Sequence, residues 1–457
     1  MLDPKVFKAY DVRATYPDML NADAAYAIGF ATAQYLKSQP ADVKRPDTIV
    51  VGRDMRPSSS ELARSLSDGI RAAGLSVIDV GMIDTSFIYF AINHLDALGG
   101  VQTTASHNPI QYNGFKISGP KAKPVGQNSG LDEIKRLALA VGDKAPNVGH
   151  YHAQDLWPDY KKHVRQFLDI KRPLKVVIDA SNGMAGKMVP ALFGDAPNLK
   201  IIPILFEITG SFTHDPNPLV ESNLDLLKNK MRSIDCDLGV CFDGDADRCM
   251  FLDENAQVLG CDLITALLAR DFLSLPENKG ATIVYDLRSS HVVPDEVMAA
   301  GGVPHRDRVG HAFLKKTLAD TKAVFGGELS GHFYFRDNFF ADSGAIAFSR
   351  VLSILSAQKK SLSQIMKPLH KYSQSGEINF QVPDKEAKIK ELAGKYSSGT
   401  IDYLDGITVD LGDWWFNVRQ SNTEPLLRLN LETSSPAALK QRLAELQTIL
   451  GQPVHGH

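Results

Sequence analysis

Three stretches of the chain share one pattern of apolar and polar positions. Each opens with a short β-branched run, passes an Asp or Arg-Asp, turns through small polar residues and continues with helical spacing. They are TIVVGRDMRPSSSELA from Thr48, KVVIDASNGMAG from Lys175 and TIVYDLRSSHVVPDEV from Thr282. This order predicts the strand-to-helix entry of an α/β unit. In the first and third copies the helix runs into glycine, in RAAGLSVIDVG and MAAGGVPHRDRVG, and a new extended run follows. The copies are spaced by roughly a hundred residues, which predicts a threefold repeat of α/β domains of about that size. Such units build mostly parallel, mixed sheets with helices on both faces, and their ligands gather at the carboxyl ends of strands.

The pattern changes toward the C-terminus. EINFQV, GITVDLGDWWFNVRQ and LLRLNLE read as strands, and SSPAALKQRLAELQTIL as one helix packed across them, which predicts a smaller α+β domain. VGDKAPNVGHYHAQ from Val141 reads as a linker, FLDENAQVLG from Phe251 as a turn, and AQKKSLSQIMKPLHKY from Ala357 as the lead into the last part. The expected domains are residues 1–150, 151–253, 254–368 and 369–457.

Length and composition agree with this division. The 457 residues suit three or four domains, and 44% hydrophobic with 23% charged residues is ordinary for a globular protein. A formal net charge of −3 leaves no global basic field for nucleic acid or an acidic membrane. No apolar run reaches the ~18 residues of a membrane span. The opening segment MLDPKVFKAYDVRATYP lacks the apolar core of a secretory signal, so a cytoplasmic location is the default expectation. The four cysteines, Cys236, Cys241, Cys249 and Cys261, cluster without a CxxC pair. They read as buried, reduced strand residues rather than a zinc site or disulfides.

The sharpest chemical feature is LGVCFDGDADRCMFLD. Two apolar strands flank a tight turn with Asp243, Asp245 and Asp247 at alternate positions and Arg248 beside them. Three carboxylates at ~4 Å repel by several kcal/mol per pair, and a hard divalent cation removes that cost. A sparse, all-oxygen set suits Mg²⁺, which keeps positions for water or phosphate. An EF-hand is excluded. Glu254 falls at its twelfth position, but Arg248 takes the sixth, where glycine is needed, and Cys249–Leu252 reads as a strand. The turn is expected to lie exposed in a cleft; a solvated hairpin tip is the bland alternative.

Two further loops carry donors and acceptors. RQSNTEP from Arg419 joins two strands and offers Arg419, Ser421, Asn422 and Thr423, the composition of a phosphate cradle or of a solvated polar turn. FGGELSGHFYF sets Glu328, Ser330 and His332 at alternate positions. In an extended loop all three would share one side, as ligands for sugar hydroxyls or as a polar loop with a satisfied histidine. RVGHAFLK adds His311, and FKAYDVR adds Tyr10 and Arg13, which suit a surface strand equally well. In TTASHNP, Ser106 could be a turn hydroxyl, a nucleophile activated by histidine, or a carrier. The glycines of a nucleophile elbow are missing. Beside a divalent-cation turn and a phosphate cradle, a phosphoryl carrier is the better reading, because a phosphoserine brings about −1.5 to −2 charge and three acceptor oxygens.

These motifs together resemble the α-D-phosphohexomutase family, in particular its bacterial phosphomannomutase/phosphoglucomutase group, along essentially the whole chain. TTASHNP resembles the phosphoserine loop, with Ser106 phosphorylated and His107 and Asn108 beside it. DGDADR resembles the metal loop, GELSGH the sugar loop and RQSNTEP the phosphate loop. Tyr10 and Arg13 match the family's YDxR element, and Lys116 matches the lysine of NGFKIS. Three departures stand out. Ala14 occupies a position where the family usually has glycine, Arg288 one where some relatives have lysine, and Leu329 one where phosphoglucosamine mutases have glutamine.

The resemblance implies four domains around a central cleft, one motif in each. It implies a mutase acting on hexose 1- and 6-phosphates, glucose or mannose, through a hexose 1,6-bisphosphate that is also the activator. Asp243, Asp245, Asp247 and Ser106 would hold Mg²⁺. Lys116 and His332 would serve as general acid and base, with Arg13 and His107 as helpers. Tyr10, Arg248, Arg288, His311, Glu328, Ser330, His332 and the loop of Arg419 would hold the sugar phosphate. The partners are small sugar phosphates, not nucleic acid or membrane, and the expected assembly is a monomer or weak dimer. A phosphoglucosamine mutase and a non-catalytic sugar-phosphate-binding protein are the alternatives.

Overall fold

The structure, a computed structural model, describes residues 2–39, 45–127, 129–421 and 426–454. The chain divides into two compact units, Met1–Gly260 with Ser330–Ile365 and Cys261–Leu329 with Met366–His457. Among the described residues no helix is long and apolar enough to cross a membrane.

The first unit holds two of the three repeats. In the first, strand Thr48–Arg53 leads through helix Ser59–Ala72 to strand Ser76–Met82, then through helix Thr85–His94 to strand Gly99–Thr103. The third strand lies beside the first, the second lies on the first strand's other side, and all three are parallel. The chain then returns antiparallel as Tyr112–Ser118. The second repeat follows the same course through Leu174–Asp179, Leu199–Ile204 and Leu238–Phe242, and returns as Cys249–Asp253.

Local sequence explains the elements. Leu62, Leu66 and Ile70 recur at helical spacing and are buried on one face of Ser59–Ala72. Asp84 caps the helix Thr85–His94 by accepting from the Phe87 amide at 3.1 Å. Every residue of Leu238–Phe242 and Cys249–Asp253 is buried, as their continuous apolar runs require. Helix Gly344–Ser356 packs on this second sheet through Phe348, whose ring meets Phe193 and Phe242 edge-on.

The second unit holds the third repeat, with parallel strands Thr282–Asp286, Val303–Asp307 and Phe325–Gly327 in the same order. The last part is an antiparallel sheet built on Ile407–Asp410, Trp414–Gln420 and Leu427–Thr433. Helix Pro436–Leu450, capped by Ser435, lies where its spacing predicts it. The fold is thus three α/β domains with mixed sheets and an α+β C-terminal domain.

Three details differ from expectation. A second helix, Lys385–Lys395, joins the last part; Leu392 is its one fully buried side chain, too little to register as apolar periodicity. The supposed linker supplies an edge strand, Tyr151–Ala153, parallel to Ser76–Met82; its side chains are all exposed, so no apolar face marks it, and the Tyr151 hydroxyl adds a bond to Asp79 of its neighbour. Cys261 opens a helix rather than lying in a strand, while Cys241 and Cys249 face each other's neighbours across an antiparallel pair. Ala14 fits without strain in the buried strand Val12–Thr15.

The repeat places the chemistry. In every copy the chain leaving the third strand forms a loop before turning back. Those loops are 104–111, 243–248 and 328–332, which carry Ser106, the aspartates and Glu328 to His332.

Candidate functional site

Ser106 occupies a left-handed backbone conformation, φ +51°, which costs a non-glycine residue about 1–3 kcal/mol and needs support. Arg56 provides it from beneath. Its buried guanidinium donates to the carbonyls of Ser106 (2.9 Å), Asn108 (2.6 Å), Pro109 (2.7 Å) and Tyr112 (3.0 Å), and its Nε donates to Asp54 at 3.2 Å. Thr104 Oγ1 accepts from the Ser106 amide at 2.9 Å. From above, Gly244 packs so closely that a Cβ there would lie 2.4 Å from the Ser106 carbonyl oxygen. The turn is therefore fixed on both sides.

The Ser106 hydroxyl donates to Asp243 Oδ2 at 2.9 Å and lies 3.2 Å from His107 Nδ1. Asp243, Asp245 and Asp247 converge, with one oxygen from each within 4.8 Å of the others. All three are buried, so the turn is neither the loop exposed in a cleft that the sequence led us to expect nor a solvated hairpin tip. The flanking strands are interior, and Ser106 and Lys116 cover the loop. Lys116, on the return strand of the first repeat, reaches Asp245 Oδ2 at 2.8 Å and Asp247 Oδ2 at 2.6 Å. Thr85 Oγ1 also donates to Asp245 Oδ2, at 2.6 Å.

Electrostatics divides the three carboxyls. Burial, and then the charges of Asp247 and Asp245, push Asp243 well above the usual carboxylate range. Burial pushes Asp245 up as well, but Lys116 outweighs it and holds this carboxyl below its usual value. Burial opposes charge on Lys116 too, yet Asp245 and Asp247 keep it firmly protonated. Lys116 is thus suited in this arrangement to neutralise charge, not to accept a proton. His107 is held well below its usual value by burial and by Arg248 and Arg13, so it is neutral.

A divalent cation fits this set. Oδ1 of Asp245 and Oδ1 of Asp247 are buried without a hydrogen-bond partner among the described residues. The donors are all oxygen, which matches Mg²⁺. Glu254 serves no such loop; it accepts from Ser363, which agrees with the exclusion of an EF-hand.

The sugar loop is not extended. Leu329 and Ser330 form a turn, and Gly331 has φ +86°, a conformation that glycine allows, so the chain reverses instead of alternating. Within the first unit, His332 Nδ1 lies 2.9 Å from Asp342 and His332 Nε2 accepts from Arg248 Nε at 2.9 Å. Both ring nitrogens are engaged, which makes His332 a brace for Arg248. Ser330 Oγ is buried without a partner among the described residues. Arg13 donates to Asn108 Oδ1 and Asp11 Oδ2, both at 2.5 Å, and Tyr10 is half-buried in the preceding turn.

The second unit gathers the remaining residues by itself. Asp286 accepts from Arg288 through both oxygens and from the Leu329 amide at 2.8 Å. Buried Glu328 accepts from the Gly310 amide at 3.1 Å, where the helix bearing His311 begins. Arg419 is the penultimate residue of the strand Trp414–Gln420, and the Ser421 amide donates to the Leu426 carbonyl at 2.9 Å. Asn422 and Thr423 lie outside the described residues.

Sequence reasoning missed Arg56, Thr85, Asp286 and Asp342. Arg56 had a signal in the Arg-Asp-x-Arg of the first repeat; the others act only through contacts that the fold creates.

Arg56→Lys should loosen the Ser106 turn, because an ammonium cannot span four carbonyls. With about 1 kcal/mol lost per contact, amide hydrogen exchange over residues 105–112 should quicken roughly tenfold or more while the other strands stay protected. Unchanged exchange in that segment would show that Arg56 does not support the turn.

Similarity to known proteins agrees with the geometry. Residues 4–142, 158–257 and 261–372 match phosphoglucomutase/phosphomannomutase alpha/beta/alpha domains I, II and III, and residues 377–448 match the C-terminal domain of the same proteins. The chain is 38% identical over 457 residues to the phosphohexose mutases of Xanthomonas campestris, covering 97% of this chain and 98% of the relative. It is 37% identical over 462 residues to the phosphomannomutase of Escherichia coli, covering 98% and 99%. A solved phosphoglucomutase/phosphomannomutase family protein from Burkholderia thailandensis superposes with a TM-score of 0.90 at 31% identity, over 98% of each chain. With all four domains matched in order, and with a serine, three aspartates and a lysine drawn together in one buried cluster, the chain belongs to the phosphoglucomutase/phosphomannomutase family of mutase enzymes.

Proposed function

We propose that the protein interconverts hexose 1-phosphate and hexose 6-phosphate, of mannose, glucose or both, through a phosphoserine at Ser106 and a hexose 1,6-bisphosphate. The observation that carries this reading is the Ser106 hydroxyl donating to Asp243 within a buried triad of carboxylates, on a turn fixed by Arg56 and Gly244. The four stretches 1–150, 151–253, 254–368 and 369–457 act as its domains, and the cytoplasm is its place of work, as a monomer or weak dimer.

In the first half-reaction the phosphorus–oxygen bond to Ser106 breaks and one to the free sugar hydroxyl forms. The proton of that hydroxyl is passed, in net, to Ser106 Oγ, the leaving oxygen, so that the serine ends as a free hydroxyl. The bisphosphate then reorients, and Ser106 takes back the phosphoryl group at the other position, which regenerates the phosphoserine. Mg²⁺, held by Asp243, Asp245, Asp247 and the Ser106 oxygen, would offset the charge on the transferring group when bound. Lys116, kept protonated by two aspartates, neutralises charge near the leaving oxygen. Arg13 braces the loop through Asn108, and His332 with Asp342 orients Arg248. Tyr10, Arg248, His311, Glu328, Ser330 and His332 serve the sugar, and Arg288, Arg419, Ser421, Asn422 and Thr423 the phosphate that is not reacting.

A fraction of the purified protein should carry phosphate on Ser106, visible as a phosphopeptide by mass spectrometry. Ser106→Ala should lower kcat by roughly 10³-fold or more. Full activity of that variant under saturating bisphosphate would end the carrier role.

Asp245→Asn keeps the shape of the side chain and should keep the fold, with unchanged circular dichroism. Calorimetric titration should show Mg²⁺ affinity weakened by at least about tenfold, because one of few charged ligands is lost. Unchanged affinity would place the metal elsewhere.

Glu328 and Ser330, serving hydroxyls common to glucose and mannose, leave the C2 hydroxyl without a dedicated partner. A site of that kind discriminates weakly, so the two 1-phosphates should have specificity constants within about a factor of a hundred. Galactose 1-phosphate, altered at C4, should be far poorer. Strict exclusion of glucose or mannose would refute this use of the loop.

A further inference from the structure

Glu377, just before the strand Ile378–Phe380, collects three guanidiniums within the second unit. Its Oε2 accepts from Arg419 Nη2 at 2.8 Å and its Oε1 from Arg428 Nη1 at 3.0 Å, and Arg288 Nη1 lies 3.6 Å from Oε2. Their exposures differ in a telling way. The side chains of Arg419 and Arg288 are 3% and 10% exposed, whereas Glu377 is 27% exposed. Two sheltered guanidiniums thus stand behind a carboxylate that reaches solvent. Burial alone would push Glu377 upward, but Arg288, Arg419 and Arg428 outweigh it and hold the carboxyl below its usual value, so it is an anion. Asp286 also accepts from Arg288, through Nε and Nη2.

A structural ion pair needs no carboxylate that reaches solvent in front of sheltered guanidiniums. A fork of guanidiniums is the donor set that phosphate oxygens accept from, and a carboxylate accepts from the same atoms in the same way. An anion arriving from solvent meets Glu377 first, and two anions on one fork repel each other.

We propose that Glu377 is a displaceable internal counter-ion: it gathers Arg288, Arg419 and Arg428 in the absence of phosphate and yields Arg419 and Arg428 to the phosphate of a bound sugar phosphate. This rests on the phosphate-binding role given above to Arg288 and Arg419, and adds Arg428 to it. The competition weakens phosphate binding but eases its release. When phosphate departs, the carboxylate returns, so no sheltered guanidinium is left unpaired, which would be costly. That suits a reaction whose bisphosphate has to leave the cradle and return in the opposite sense. Glu377 is then a positioning residue that lowers affinity and sustains turnover.

The test is calorimetric titration of inorganic phosphate into the full chain without added metal, together with steady-state kinetics on glucose 1-phosphate. Glu377→Gln should bind phosphate roughly tenfold more tightly than the unchanged protein, since a competing charge is gone while the shape is kept. The gain should vanish when Arg419→Gln is added. KM and kcat should both fall, which a simple brace would not produce. Glu377→Asp keeps the charge with a shorter reach, so it should bind phosphate slightly more tightly and retain most of kcat; it also carries the test if the glutamine variant does not fold. Phosphate binding that is unchanged, weaker or absent in these variants overturns the proposal. If the unchanged protein turns over no hexose phosphate, the functional reading fails, while the phosphate titration still decides the role of Glu377.

Discussion

Three carboxylates buried within 4.8 Å of one another are the constraint on which the first unit is organised. Such a cluster is untenable unless its charge is compensated. Lys116 bridges two of the three, Thr85 and Ser106 donate to them, and Asp243 is pushed toward its neutral form. Each compensating group comes from a different part of the first repeat, while the aspartates come from the second. The acidic turn therefore joins two domains through charge as well as through packing, and the contact of Gly244 on Ser106 lies at their junction.

The repeat explains how one architecture serves several tasks. A strand returning antiparallel to its neighbour needs a connecting loop at the carboxyl end of the sheet, and each α/β copy places such a loop at the same point of its topology. What differs is the loop's chemistry. The first carries a hydroxyl, the second carboxylates, and the third a glutamate whose oxygen accepts from the start of a helix. The last domain adds arginine chemistry from an antiparallel sheet instead, with Arg419 and Arg428 directly opposite each other on paired strands. That register sets two guanidiniums side by side on one carboxylate.

What was legible in the sequence is what short-range chemistry encodes. The strands from Thr48, near Lys175 and from Thr282 begin where the β-branched runs predict. The aspartates announce themselves because alternate charges between two apolar strands fit a solvated hairpin tip poorly. Arg56 and Asp342 were not legible in their roles, because each gains its role from a contact that the fold creates: Arg56 from a carbonyl fifty residues away, Asp342 from a histidine ten residues earlier that the intervening strand and turn bring back to it. Helix Lys385–Lys395 was missed because it buries too little to mark a face. The conformation of the sugar loop was misread because alternation implies one side only in an extended chain, and Gly331 takes that chain through a turn.

The same distinction separates the groups that carry charge from those that shape the turn. Ser106 is held in a conformation that serine rarely adopts, and its hydroxyl direction follows from that conformation. Arg56 can hold it only because a guanidinium is planar and many-pronged; its donors satisfy four carbonyls that would otherwise be left without partners in a buried loop. A buried cation on neutral carbonyls is tolerable here because Asp54 stands beside it, so the support is neutral overall and does not disturb the acidic cluster above it. Below the turn Asp54 balances Arg56, whereas above it Lys116 offsets only part of the charge of two aspartates. A doubly charged phosphoryl group on Ser106 would add to that remaining negative charge, which is the condition under which a bound divalent cation contributes most.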